Sequence, residues 1–226
     1  MFFFDPTFIL LLPALGLALW AQYRVKSTYK KYSQVASATG LTGAQVARRL
    51  LDDGGLSAVP IENVSGKLSD HYDPRTRTLR LSQGTSQSRS VAALGVAAHE
   101  VGHALQHRDA YSAFQMRQSI FPAANLGSTL AFPFFFAGML FSVPLLQTLG
   151  IVFFGGALLF QLVTLPVEFN ASSRALALLT DRGILAQDET RQAKRVLDAA
   201  ALTYVAATIM ALMQMLRLIL LSGSRD

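Results

Sequence analysis

From Gln118 through Val167, fifty consecutive positions carry no charged side chain. About 20 apolar residues cross the hydrocarbon core of a bilayer once, so this run has room for two crossings and a tight turn. Ser142-Val143-Pro144 is the break that places the turn, and it predicts spans over residues 122–141 and 145–165. A helical hairpin buried in a soluble protein is the competing reading. Composition weighs against it: of 226 residues, 51% are hydrophobic and 15% charged, high and low for a soluble domain. The first segment, Phe2 to Trp20, is also apolar, with only Asp5 charged. A secretory signal would place basic residues ahead of its apolar core, whereas Arg24, Lys26, Lys30 and Lys31 follow this one. Residues 2–21 therefore read as an uncleaved anchor. Residues 199–221 are uncharged until Arg217, so that segment either crosses the membrane or lies at the interface with Arg217 snorkelling.

Orientation follows from the distribution of Lys and Arg. Eighteen of the twenty lie between Gln22 and Gln118 or between Glu168 and Asp198, and the loop between the second and third spans has none. The positive-inside rule then turns residues 22–118 and 166–198 toward the cytoplasm and the N-terminus outward. Anionic inner-leaflet lipids account for the net charge of +6, which calls for no nucleic acid. The absence of cysteine excludes disulfides, thiolate metal sites and a cysteine nucleophile.

His99-Glu100-Val101-Gly102-His103 is an HExxH pattern. On a helix the side chains at i and i+4 share a face, so both imidazoles can reach one Zn²⁺ while Glu100 leans toward the ion's open position. Zinc lowers the pKa of a bound water to about 7, and a nearby glutamate can take its proton during attack on a carbonyl. Ser90 to His107 is proline-free and rich in apolar residues, with Ser90 placed as N-cap, and predicts one buried helix around the motif. Burying three ionisable groups there without a metal or strong partners would cost several kcal/mol. A third ligand is needed. His107 lies too far along the same helix to join the other two on one tetrahedral ion, and it reads as a C-terminal residue meeting the helix dipole or as a support for a ligand. Among Glu62, Glu168 and Glu189, Glu168 stands out because it ends the apolar run Leu162 to Val167.

The stretch between anchor and motif has ordinary globular patterning. Val46, Ala47, Leu50 and Leu51, with Gly54-Gly55 behind them, predict a short amphipathic helix over Thr42 to Asp53. Val59 to Val64 is β-prone. Leu68 to Tyr72 and Thr78 to Leu81 flank Asp73-Pro74-Arg75-Thr76, predicting a β-hairpin just before the HExxH helix. A strand so placed can bind an extended peptide by main-chain pairing. His71, Tyr72, Arg174 and Tyr204 are the residues available to contact a substrate or its oxyanion, with ordinary packing as the alternative for each.

HEVGHALQH at residues 99–107, Ser69-Asp70-His71-Tyr72-Asp73-Pro74-Arg75, and Leu165-Pro166-Val167-Glu168-Phe169-Asn170-Ala171-Ser172 together resemble the YugP-like family of bacterial neutral zinc metallopeptidases. The resemblance spans nearly the whole chain. That family is similar in plan to the HtpX-type membrane proteases of the gluzincin group, whose third zinc ligand is a glutamate on a later helix. The likeness implies one catalytic Zn²⁺, with His99 and His103 as paired ligands, Glu168 as the third ligand and Glu100 as general base. It leaves a supporting role open for Asn170, while Ser172 stands where the HtpX-type pattern has an aspartate. The expectation is a mainly α membrane protein. It would have about four apolar helices and a small cytosolic zinc-peptidase core with a β-hairpin before the HExxH helix, all forming a single domain over residues 1–226. It would sit in a bacterial cytoplasmic (inner) membrane and cleave membrane or membrane-adjacent polypeptides. The competing readings are a proteolytically silent zinc-binding scaffold and, more weakly, a metal transporter, against which stands the lack of several ionisable groups in any one span.

Overall fold

The computed structural model describes residues 6–223. Phe2 to Asp5 of the expected anchor lie outside the described residues. A short 3-10 turn, Pro6–Leu10, leads into α1 (Leu11–Tyr32), and α2 (Gly43–Asp53) follows. Next come β1 (Ile61–Val64), β2 (His71–Asp73), β3 (Thr78–Ser82), the single turn α3 (Gln83–Ser86) and α4 (Val91–Arg108). The chain ends in three long helices, α5 (Ser112–Leu140), α6 (Pro144–Asp181) and α7 (Gln187–Gly223). Among the described residues four helices are long and apolar enough to cross a membrane: Pro6–Tyr32, Ser112–Leu140, Pro144–Asp181 and Gln187–Gly223. The protein is thus a mainly α membrane protein with a small sheet, as the sequence predicts.

The helices are longer than the apolar spans inside them. Helix α6 does not stop near residue 165 but runs through Pro166 to Asp181, and α7 begins at Gln187, well before the apolar segment at 199. Apolar patterning marks only the part of a helix whose whole surface is apolar; the helix continues wherever one face still finds a partner. Pro166 is accommodated inside α6, and Pro122 and Pro133 inside α5, as neighbouring helices and local adjustments allow in membrane helices.

Two compact units divide the chain. One comprises Met1–Gln22, Gln115–Pro166 and Thr203–Asp226. Its interior gathers Ala131, Phe135, Phe154 and Leu218. Helices α5 and α6 approach closely at small residues: a Cβ on Gly127 would stand 2.8 Å from the Phe153 carbonyl oxygen, and one on Gly150 2.7 Å from that of Ala131. Small residues at contacts are how helices associate where lipid removes the hydrophobic drive between them. The turn between them is at Ser142, with φ +56°, and Pro144 opens α6 at its first position. Leu126, Leu140, Phe141, Leu145 and Val152 stay more than 60% exposed. In water each would forgo about 1.5–3 kcal/mol of burial, which hydrocarbon surroundings remove.

The other unit comprises Tyr23–Phe114 and Val167–Leu202. Its core packs Val46, Leu50 and Leu51 of α2 with Leu79 and Leu81 of β3, Leu94, Val101 and Leu105 of α4, Leu179 of α6 and Leu197 of α7. Helix α2 starts with a capping box in which Thr42 accepts from the Gln45 amide and the Gln45 side chain accepts from Thr42. The sheet has the order β1-β3-β2, with β1 parallel and β2 antiparallel to the central strand. The predicted hairpin is β2–β3. Asp73 holds its turn by accepting from the Arg75 amide, the Thr76 hydroxyl and Arg80 Nη1.

Candidate active site

Helix α4 starts at Ser90, whose hydroxyl accepts from the Ala93 amide, and ends at Arg108. Its small, apolar N-terminal half buries on all sides, which fixes the helix and carries His99 and His103 to one face. Helix α6 passes alongside at Gly102. A Cβ there would stand 2.6 Å from the Ala171 carbonyl oxygen, so only glycine lets the two backbones meet. This contact places Glu168, three residues before Ala171, against the histidines.

The separations are informative. Oε2 of Glu168 lies 3.3 Å from His99 Nε2 and 3.6 Å from His103 Nε2, and the three ligand atoms all lie within 4.8 Å of one another. Ligands 2.0–2.2 Å from a tetrahedral ion stand about 3.3–3.6 Å apart. The donor chemistry, two imidazole nitrogens and one carboxylate oxygen, suits zinc equally well. The other ring nitrogens are tied elsewhere: His103 Nδ1 to Gln106 Oε1 at 2.9 Å, and His99 Nδ1 to Ser172 Oγ at 3.1 Å. Because the Gln106 amide oxygen can only accept, His103 donates to it from Nδ1, which turns Nε2 toward Glu168. The Gln106 amide nitrogen donates in turn to the Val167 carbonyl at 2.8 Å and to Asn170 Oδ1 at 2.9 Å, so this fully buried glutamine ties α4 to α6 beside the cluster.

Glu100 is buried, and its Oε2 accepts from the Tyr72 amide of β2 at 3.0 Å. Burial pushes its carboxyl up to about 7, with the field of His99 opposing and that of Glu168 adding. A carboxyl in that range can take up and release a proton near neutral pH.

The remaining sequence-predicted residues divide. The Tyr72 hydroxyl meets His107 Nδ1 at 3.0 Å, and the Phe114 ring lies beside both His103 and His107. Burial, helped by the charge of Arg77, holds the His107 imidazole below its usual pKa. Asn170 accepts from both Gln106 and Arg174 Nε. Arg174 also pairs with Asp109 at 2.5 Å, and it is linked to His103 through Asn170 and Gln106. His71 is exposed, its Nδ1 on the Ser69 carbonyl. Tyr204 lies further along α7, in the apolar unit. Sequence reasoning missed Gln106 and the Tyr72 amide. A glutamine three residues after a motif histidine in an otherwise apolar helix was the available signal for the first; a backbone donor leaves none.

Residues 7–223 match the family described as "Putative neutral zinc metallopeptidase". The "Putative membrane protease YugP" of Bacillus subtilis (strain 168) is 50% identical over 212 residues, covering 94% of each chain. No solved structure matches this chain. With a match over nearly its full length, the chain belongs to that family of neutral zinc metallopeptidases.

Proposed function

We propose that this protein is a membrane-bound, zinc-dependent endopeptidase of gluzincin type. It hydrolyses peptide bonds of membrane or membrane-adjacent proteins at the cytoplasmic face of a bacterial inner membrane. The observation that carries this reading is the convergence of His99 Nε2 and His103 Nε2 on Glu168 Oε2 at 3.3 and 3.6 Å, with the buried Glu100 beside them. His99, His103 and Glu168 hold the ion. When bound, zinc supplies Lewis acidity, bringing the pKa of a water to about 7 and polarising the scissile carbonyl. Glu100, held by the Tyr72 amide, takes the proton from the attacking water and returns it to the departing amine. Strand β2 pairs on one side with β3 and presents Tyr72 to Glu100 on the other, a position suited to aligning an extended substrate. The whole chain, residues 1–226, works as one membrane-embedded domain, and the distribution of basic residues supports the orientation.

The test is paired. Glu100→Gln should abolish cleavage while largely sparing zinc content, and Glu168→Ala should sharply lower zinc occupancy. Unchanged metal stoichiometry in Glu168→Ala removes that residue from the site. A wild type that holds zinc yet cuts no polypeptide makes the protein a zinc-binding scaffold instead.

A further inference from the structure

A cavity of about 430 Å³ is lined by both members of the Tyr72–His107 pair. Its walls are mixed: Leu56, Val59, Pro60 and Ala104 give the apolar part, and Thr76, Arg77 and Arg108 stand among its polar groups. Two of the polar residues that line it adjoin the site: His107 is one helical turn beyond His103, and Tyr72 is the residue whose amide holds Glu100. The cavity is thus walled in part by residues next to the candidate site in chain or in hydrogen bonding.

The charges lining it are of one sign. Arg108 is committed, to Asp109 and to the Gly54 carbonyl. Arg77 is exposed and pairs with no carboxylate among the described residues. The nearest carboxylate in sequence, Asp73, is taken up by Arg80 and Thr76. Arg77 also sits at φ +51°, the left-handed conformation in which glycine or asparagine would be easier. The hairpin thus keeps at a left-handed turn position a guanidinium with no carboxylate partner among the described residues, lining a cavity that also carries a phenol and an imidazole.

We propose that this cavity is a substrate subsite that takes a carboxylate against Arg77, with the Tyr72–His107 pair as its polar inner wall. The inference rests on the peptidase reading above. The carboxylate is either an acidic side chain near the scissile bond or the substrate's own C-terminus, and guanidinium–carboxylate pairing serves both.

The probes are fluorescein-labelled alanine-based decapeptides carrying one Glu or one Gln at successive positions, each with a free or amidated C-terminus. Binding to the zinc-loaded full-length Glu100→Gln protein is read by anisotropy, and cleavage by the wild type is read separately. A hydrogen bond to a charged group predicts a preference for Glu over Gln of about tenfold to a hundredfold at one position. Arg77→Gln should bring that ratio to near one, Arg77→Lys should restore part of it, and Arg75→Gln, in the same turn but outside the cavity, should keep it. A preference that follows the free terminus over the amide, and falls with Arg77→Gln, assigns the subsite to the chain end. Equal binding of Glu and Gln peptides at every position and of both termini, or a preference that survives Arg77→Gln, overturns the proposal. An Arg77-dependent preference without any cleavage by the wild type overturns the peptidase reading and leaves the carboxylate subsite standing.

Discussion

Gly102→Ala tests whether the contact between α4 and α6 sets the ligand separations. The added methyl would meet the Ala171 carbonyl oxygen at 2.6 Å, and ordinary contact begins near 3.4 Å, so the two backbones must part by about 0.8 Å. Overpacking of this kind costs about 1–3 kcal/mol. Replacing glycine by alanine within a helix returns up to about 1 kcal/mol, so the folded state should survive with a modest loss. The proposed zinc site has far less latitude. Metal–ligand distances tolerate about 0.2 Å, and the parting is several times that at a point three residues from Glu168. Zinc affinity should therefore fall at least about tenfold, the lower end of what disturbing ligand orientation does. Chelator competition on the purified protein measures the affinity, and a melt of the metal-free form reports the fold. Gly95→Ala on the same helix is the control, since the nearest atom to its methyl is the Ala193 Cβ at 3.3 Å and the contact asks for a few tenths of an ångström. A Gly102→Ala protein that melts lower yet binds zinc as tightly as the wild type would refute the reasoning.

Gln106→Leu removes the acceptor that holds His103 Nδ1 and should weaken zinc binding by about 10- to 100-fold; unchanged affinity would show that the ring is oriented by packing alone. Asp73 is held below the usual carboxylate range, chiefly by its hydrogen bond from Arg80. Its contribution to stability is therefore complete above the unfolded value near 4 and is lost as pH falls toward the lower folded value. Asp73→Asn should accordingly melt lower at neutral pH and show a flatter decline of melting temperature below about pH 5, and parallel declines would reject the assignment. The chain has no cysteine, so Ser142→Cys and Ser88→Cys can each be labelled without background. The proposed topology expects an impermeant reagent to reach the first from outside and the second only after the membrane is opened, and the reverse pattern would invert the orientation.

Features carried by neighbouring residues were legible in the chain. The charge-free run specified two apolar helices and their turn, because a bilayer admits only backbone that satisfies its own hydrogen bonds. A 3.6-residue period specified α2 and the face that His99 and His103 share, and Asp73-Pro74-Arg75-Thr76 between β-prone segments specified the hairpin. Glu168 was visible as a carboxylate ending an apolar run. The sequence could not say that α6 would carry it through Pro166 in one unbroken helix, or that it would come within 3.6 Å of both imidazoles. Only the tertiary structure decided this, together with Gln106 bridging to Val167 and Asn170, Ser172 meeting His99, and the Tyr72 amide meeting Glu100. The reason is physical. Each of these partners lies far along the chain from the other, and what joins them is the approach of α4 to α6 at Gly102 and of β2 to α4. Periodicity records which face a residue occupies, while the distance between two faces is set by how whole elements pack.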